Sequence, residues 1–376
     1  MIPLHEPYLS SHAWTFLKEC LESGWVSSAG PWVNRFESAL QALTQSPYVV
    51  AVNSGTAGLH LALQVVGVHP GEGVIIPDIT FVATANAIQY VGAQPLLAEV
   101  DPVTFLLNID VLADYLASQT EMREGKCWDR KNQLFIKALV AVHVMGNVCD
   151  MDALRNLCER YKICLVEDAA EALGSSYRGK PAGTMGDIGV LSFNGNKILT
   201  TGGGGAILTN NSDWAAQVRH LATQAKSDPW MYDHDEVGYN YRMNSLSAAL
   251  GLSQLEVWEE ILEKKKRIFQ RYQQELGTVC TLQTGLSEVK TNHWLVTGTL
   301  LHTTFEVIRR LNQEGIQVRP IWKPMHKLHM YTACPVIGNL HSSVWLHKHS
   351  LSLPSSAGLT SQDQARVISA ILATQK

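Results

Sequence analysis

Ile163-Cys164-Leu165-Val166-Glu167-Asp168-Ala169-Ala170-Glu171 runs four apolar residues into a cluster of acids. An unbroken apolar run, without polar alternation, marks a strand buried on both faces of a parallel sheet. The acids at its end are either loop caps or placed functional groups. A buried Asp168 would need a cationic or metal partner to stay ionised.

Outward from this strand the same pattern repeats. Upstream, 48–53, 73–77, 95–100 and 136–142 read as strands, and 56–67, 81–91 and 151–161 as helices. Downstream, 189–193 and 206–209 read as strands around a glycine-rich bend, with a helix over 213–224. Strand–helix alternation predicts an α/β fold with a large, mostly parallel sheet and a ligand site beyond the strand ends. A long helix from about 246 to 276 leads into a strand over 294–301, a helix over 305–314 and an extended 318–320. These form a smaller α+β unit. The boundary is drawn inside the long helix, giving a large unit 1–255 with an N-terminal segment and a small C-terminal unit 256–376.

Composition agrees with a large core. The 376 residues are 46% apolar and 17% charged, which excludes a disordered chain or a coiled coil. With 30 basic and 34 acidic residues the net charge is −4, so there is no basic footprint for nucleic acid. The run Glu263-Lys264-Lys265-Lys266-Arg267 reads as a solvated helix face. No basic-then-apolar leader opens the sequence, and no apolar stretch approaches the ~20 residues of a membrane span. A cytoplasmic protein without membrane or nucleic-acid partners is expected. Its 7 cysteines are scattered without a CxxC pair, which suggests reduced thiols. No metal site is expected, since His341, His347 and His349 lack neighbouring acids or cysteines.

Four further segments carry polar groups where chemistry could be placed. Asn53-Ser54-Gly55-Thr56-Ala57 leaves a strand and opens a helix, so it is either an ordinary N-cap or an anion site for a phosphate. Leu191-Ser192-Phe193-Asn194-Gly195-Asn196-Lys197 puts a lysine just past a strand, as a turn residue or a Schiff-base nucleophile. The glycines at 202–205 follow that lysine and have neither Walker nor dinucleotide spacing. Gly238-Tyr239-Asn240-Tyr241-Arg242-Met243-Asn244 is either a loop capped by Asn244 or an anion clamp using Asn240 and Arg242. Arg319-Pro320-Ile321-Trp322-Lys323-Pro324-Met325-His326 suits sugar or phosphate contact, or a rigid connector.

Taken together and in order, these motifs resemble the DegT/DnrJ/EryC1/StrS family of sugar aminotransferases, from Pro3-Leu4-His5-Glu6-Pro7-Tyr8 to Leu351-Ser352-Leu353-Pro354-Ser355-Ser356. The resemblance implies the aspartate aminotransferase-like type I fold of pyridoxal phosphate (pyridoxal 5'-phosphate) enzymes and a homodimer with shared active sites. Lys197 matches the lysine that bonds the cofactor, and Asp168 the acid that keeps its pyridine nitrogen protonated. Gly55, Thr56 and Ser192 match the phosphate-holding groups, and Phe81 the aromatic stacked on the ring. Asn240 matches a phosphate ligand from the partner subunit, and His326 a residue near the sugar. Glu171 stands where many members carry Gln or His beside the phenolic oxygen, so it is protonated, bridged by water or turned away. Gly24-Trp25-Val26-Ser27-Ser28-Ala29-Gly30 and Thr223-Gln224-Ala225-Lys226 resemble the subgroup that aminates C4 of a UDP-linked 4-keto-6-deoxy-N-acetylglucosamine for bacillosamine and legionaminic acid. In that reading Ser28, Lys226, Arg242, Lys323 and His326 meet the nucleotide-sugar substrate, and an amino acid, glutamate, is the donor.

Overall fold

A computed structural model describes residues 1–228 and 230–374. The strand Cys164–Asp168 lies in the middle of a large sheet with Leu134–Val142 and Ile188–Ser192 parallel on either side. The main path across the sheet is Tyr48–Val52, Gly205–Thr209, Ile188–Ser192, Cys164–Asp168, Leu134–Val142, Gly73–Pro77, Gln94–Ala98 and Val336–Ile337. Only Gly205–Thr209 on this path runs against its two neighbours; the other pairings are parallel. Every residue of Gly73–Pro77 and of Gly205–Thr209 is buried, as the apolar runs require of strands covered on both faces.

Helices fill the crossovers. Gly55–Val65 packs on Ile188–Ser192 and Gly205–Thr209, and Met151–Tyr161 packs on Cys164–Asp168. Ser54 caps the first by accepting the Ala57 N–H at 3.0 Å, and Asp150 caps the second by accepting the Ala153 N–H at 3.0 Å. Such caps replace bonds that the first turn of a helix cannot make for itself. Two helices outside the sequence-read elements, Ala13–Glu22 and Pro31–Thr44, precede the sheet. Among the described residues no helix is long and apolar enough to cross a membrane.

The single long helix expected over 246–276 is two helices, Ser245–Leu255 and Trp258–Leu276. Val257 leaves helical geometry at φ −110°, ψ 18°, and Trp258 turns into the main core. Farther along, Ile268, Tyr272 and Leu276 belong to a second apolar cluster with Val296, Leu300, Leu351 and Leu353. A boundary at 255 is therefore crossed in both directions. Ile2 packs into the second cluster and donates its N–H to the Gly315 carbonyl, while Val336–Ile337 extends the large sheet.

Candidate active site

The parallel strands end along one edge of the sheet, and the chain turns there at Asp78–Phe81, His143–Met145, Asp168–Glu171 and Ser192–Lys197. Asp168 is the last residue of its strand. Its Oδ2 accepts the Thr84 hydroxyl at 2.8 Å and its Oδ1 the Ala170 N–H at 3.2 Å. Strand alternation sends the neighbouring Glu167 to the other side, where it accepts the Gly183 N–H at 2.8 Å and pairs with His143 at 2.8 Å. Burial pushes the Asp168 carboxyl above its ordinary range, with Thr84, Ala170, Lys197 and His143 offsetting only part of it. Asp168 is thus an interior acid whose charge calls for a cation.

Lys197 sits on the turn after Ile188–Ser192, its N–H bonded to the Asn194 carbonyl at 2.9 Å. Its side chain is 12% exposed, and its amine lies 3.2 Å from Glu171 Oε1 and 4.1 Å from the centre of the Trp294 ring. The other Glu171 oxygen accepts the Met145 N–H at 2.9 Å. Met145 holds a left-handed φ of 59°, uncommon for a residue with a long side chain. Burial raises the Glu171 carboxyl, and the Lys197 charge works against that rise. Glu171 is engaged with the lysine and a backbone amide.

These groups border one cavity of about 700 Å³, lined also by Gly55, Thr56, Phe81, Ser192 and Lys323. A Cβ on Gly55 would stand 2.9 Å from the Ser192 Cβ, so only glycine lets the start of the helix close on the strand end. The first turn of that helix and Ser192 border the same cavity, an arrangement able to hold an anion. Ser54 is the helix cap, as the first reading of that segment has it.

The other sequence-read residues lie outside the lining. His326 packs beside it, with Nδ1 2.7 Å from Asp78 Oδ2 and its N–H on Asp78 Oδ1 at 2.9 Å. Arg242 is not free for an anion: it pairs with buried Glu37 and donates to the Ala51 carbonyl at 3.1 Å. Asn244 caps Ser245–Leu255 by accepting the Ser247 N–H at 2.8 Å. Asn240 is exposed, its carbonyl accepting from Asn53 Nδ2 at 3.0 Å. Ser28 and Lys226 are exposed, with the Lys226 amine 5.0 Å from the Tyr232 ring centre. Sequence reading missed Trp294 and Leu4 in the lining, and passed over Arg319 within a quoted segment. Trp294 opens the run 294–301 that reads as a strand, where an aromatic reads as core; the strand itself is Val296–Leu300.

The profile of the DegT/DnrJ/EryC1/StrS aminotransferase family matches residues 8–372. A relative from Bacillus subtilis (strain 168), named "Putative pyridoxal phosphate-dependent aminotransferase EpsN", is 36% identical over 99% of this chain and 95% of its own. GDP-perosamine synthase of Caulobacter vibrioides is 37% identical over 98% and 97%. Among solved structures, DesI in the presence of its TDP-sugar product superposes with a TM-score of 0.87 at 28% identity, covering 99% of this chain and 91% of that one. The geometry fits pyridoxal phosphate by its own chemistry: an anion cradle for a phosphate, a buried carboxylate for a ring cation and an amine for a carbonyl carbon.

Proposed function

The chain belongs to the DegT/DnrJ/EryC1/StrS aminotransferase family, with pyridoxal phosphate as its cofactor, and from that premise we propose the following reaction. The enzyme moves an amino group from L-glutamate to C4 of a nucleotide-linked 4-keto-6-deoxy sugar. The observation that carries this reading is the convergence of Lys197, Asp168 and the Gly55–Ser192 cradle on one cavity. When bound, pyridoxal phosphate supplies a carbonyl to carry the amine and a ring to take up electrons.

The chain's own residues do the rest. Asp168 would hold the protonated ring nitrogen, since burial makes its own charge costly without a cation. Gly55, Thr56 and Ser192 would hold the phosphate, and Phe81 would offer an apolar face to the ring. The Lys197 Nζ would take the proton from the donor's Cα, hold it and release it to the cofactor's former carbonyl carbon, and would carry a proton the opposite way onto C4 of the sugar. Glu171 keeps the Lys197 amine in place from one side. Lys323 and Arg319, exposed at the cavity's rim, meet the substrate's diphosphate, and His326, oriented by Asp78, approaches the sugar. Asn240, Ser28 and Lys226 lie away from their own chain's cavity, which suits a homodimer in which each subunit completes its neighbour's site. Arg242 supports that loop through Glu37. A cytoplasmic enzyme with seven free thiols fits this chemistry.

The motifs around Ser28 and Lys226 favour a UDP-linked 2-acetamido sugar. The name of the Caulobacter vibrioides relative favours a second reading, a GDP-linked sugar. Purified enzyme with pyridoxal phosphate, glutamate and UDP-, GDP- or dTDP-linked 4-keto-6-deoxy sugars separates them by mass analysis of the product. Cofactor binding with no amino sugar from any of them would instead indicate a non-catalytic regulatory protein.

A further inference from the structure

Trp294 is 3% exposed and is held at four points. Its backbone N–H donates to Asn292 Oδ1 at 2.9 Å, and its carbonyl accepts Lys265 Nζ at 2.5 Å. Its indole N–H donates to the Asn196 carbonyl at 2.7 Å, next to Lys197 in the chain. Its ring face lies 4.1 Å from the Lys197 amine. The same Asn292 donates Nδ2 to the Glu171 carbonyl at 2.8 Å, so one side chain ties together the two groups that hold that amine.

Lys265 departs from the solvated face expected of the 263–267 run. It is 1% exposed, and among the described residues its hydrogen-bond acceptors are the carbonyls of Trp294 and Ser355, with no carboxylate paired to it. A neutral amine has two N–H donors, which these two carbonyls satisfy; an ammonium would carry a third into an apolar interior. Burial accordingly pushes Lys265 well below its ordinary value. It ties Trp294 to the helix Trp258–Leu276, whose later turns build the small apolar cluster.

We propose that Trp294 is a positioning residue for Lys197: its ring face carries the amine's positive charge whenever Lys197 holds the travelling proton, and Lys265, bonded to the Trp294 carbonyl, fixes the ring there. This rests on Lys197 being the reacting lysine. In the step concerned, the proton leaves the donor's Cα for the Nζ lone pair, and the C–H electron pair passes into the cofactor. Nζ becomes cationic, and a desolvated indole face favours that state by roughly 5- to 30-fold.

Three variants test this. Trp294→Leu removes the ring, Trp294→Phe keeps a ring face but loses the indole N–H, and Lys265→Met removes both donors to the carbonyls. Two readouts are needed: kcat against KM for the nucleotide sugar, and the rate at which acetic anhydride acetylates Lys197 in the cofactor-free protein. Trp294→Leu is expected to lower kcat roughly 5- to 30-fold with little change in KM, while Lys197 acetylates faster because its charged form has lost support. Trp294→Phe stays within a few-fold of the parent in both, and Lys265→Met follows Trp294→Leu in direction. A fall in both readouts marks a collapsed site and overturns the proposal, as do an unchanged Trp294→Leu or equal defects in the Leu and Phe variants. If Trp294→Leu does not fold, Trp294→Phe decides: a loss beyond about tenfold in kcat contradicts a role for the ring face. Borohydride trapping of the cofactor on another lysine in the parent enzyme would instead sink the assignment of Lys197 itself.

Discussion

Lys197 Nζ and Glu171 Oε1 lie 3.2 Å apart in the wall of the cavity, and the second Glu171 oxygen is held by the Met145 N–H at 2.9 Å. The carboxylate therefore serves the lysine. Burial raises the Glu171 carboxyl above its ordinary 4.5, the Lys197 charge offsetting part of the rise. A group whose value is raised by folding stabilises the fold fully below its unfolded value, and that contribution is lost as pH climbs through the folded value. Glu171→Gln has no such titration. The cofactor-free variant should gain stability relative to its parent as pH rises from the ordinary 4.5 through the raised folded value. Urea midpoints at the two ends measure this, and a difference independent of pH would contradict it.

Asp168 carries the second buried charge of the site. Asp168→Asn keeps the shape and can still bond Thr84, so the cofactor-free fold should be at least as stable as the parent's. Turnover should nonetheless fall by several orders of magnitude, because a neutral amide cannot hold the ring nitrogen protonated. Denaturation and steady-state rates on one preparation check both halves. Near-parental turnover would mean that Asp168 does something else.

Glu37 and Arg242 show side chains each 8% exposed. Glu37 also accepts the Ala51 N–H at 2.8 Å and pairs with Arg219 at 3.1 Å. Removing one partner of such a pair leaves an uncompensated buried charge, so Glu37→Gln should cost about 3–5 kcal/mol of stability. Chemical denaturation measures it. A cost below about 1 kcal/mol, typical of surface pairs, would show that Arg242 finds water or another partner.

The shared-site dimer is tested by mixing subunits. Lys197→Ala and Asn240→Ala are each expected to be defective alone, the second through a lost hydrogen bond to phosphate of roughly 1.5–3 kcal/mol. In a mixed dimer one site carries both defects and the other carries neither, so activity should return. Verified subunit exchange without recovery would place both residues in one chain's site.

The large sheet was legible because its strands are unbroken apolar runs, and a strand covered on both faces leaves no other pattern. Asp168, Lys197 and the Gly55 helix start were legible for the same reason: polar groups at strand ends stand out against those runs. The break at Val257 was not, since neither glycine nor proline marks it and only the turn of Trp258 into the core produces it. Arg242 reads as an anion clamp until Glu37, some two hundred positions away, is seen to neutralise it. Trp294 was hidden because its sequence neighbours describe a strand, whereas its role comes from Lys265, Asn196 and Lys197, all distant in sequence.

The central claim is that Lys197 is the lysine that bonds the cofactor. Borohydride reduction of the purified enzyme with pyridoxal phosphate bound, followed by digestion and mass analysis, should fix the cofactor on the peptide containing Lys197, and Lys197→Ala should lose both the tag and the near-visible absorbance. A tag on Lys226, Lys323 or Lys265, with Lys197 unmodified, would contradict the account.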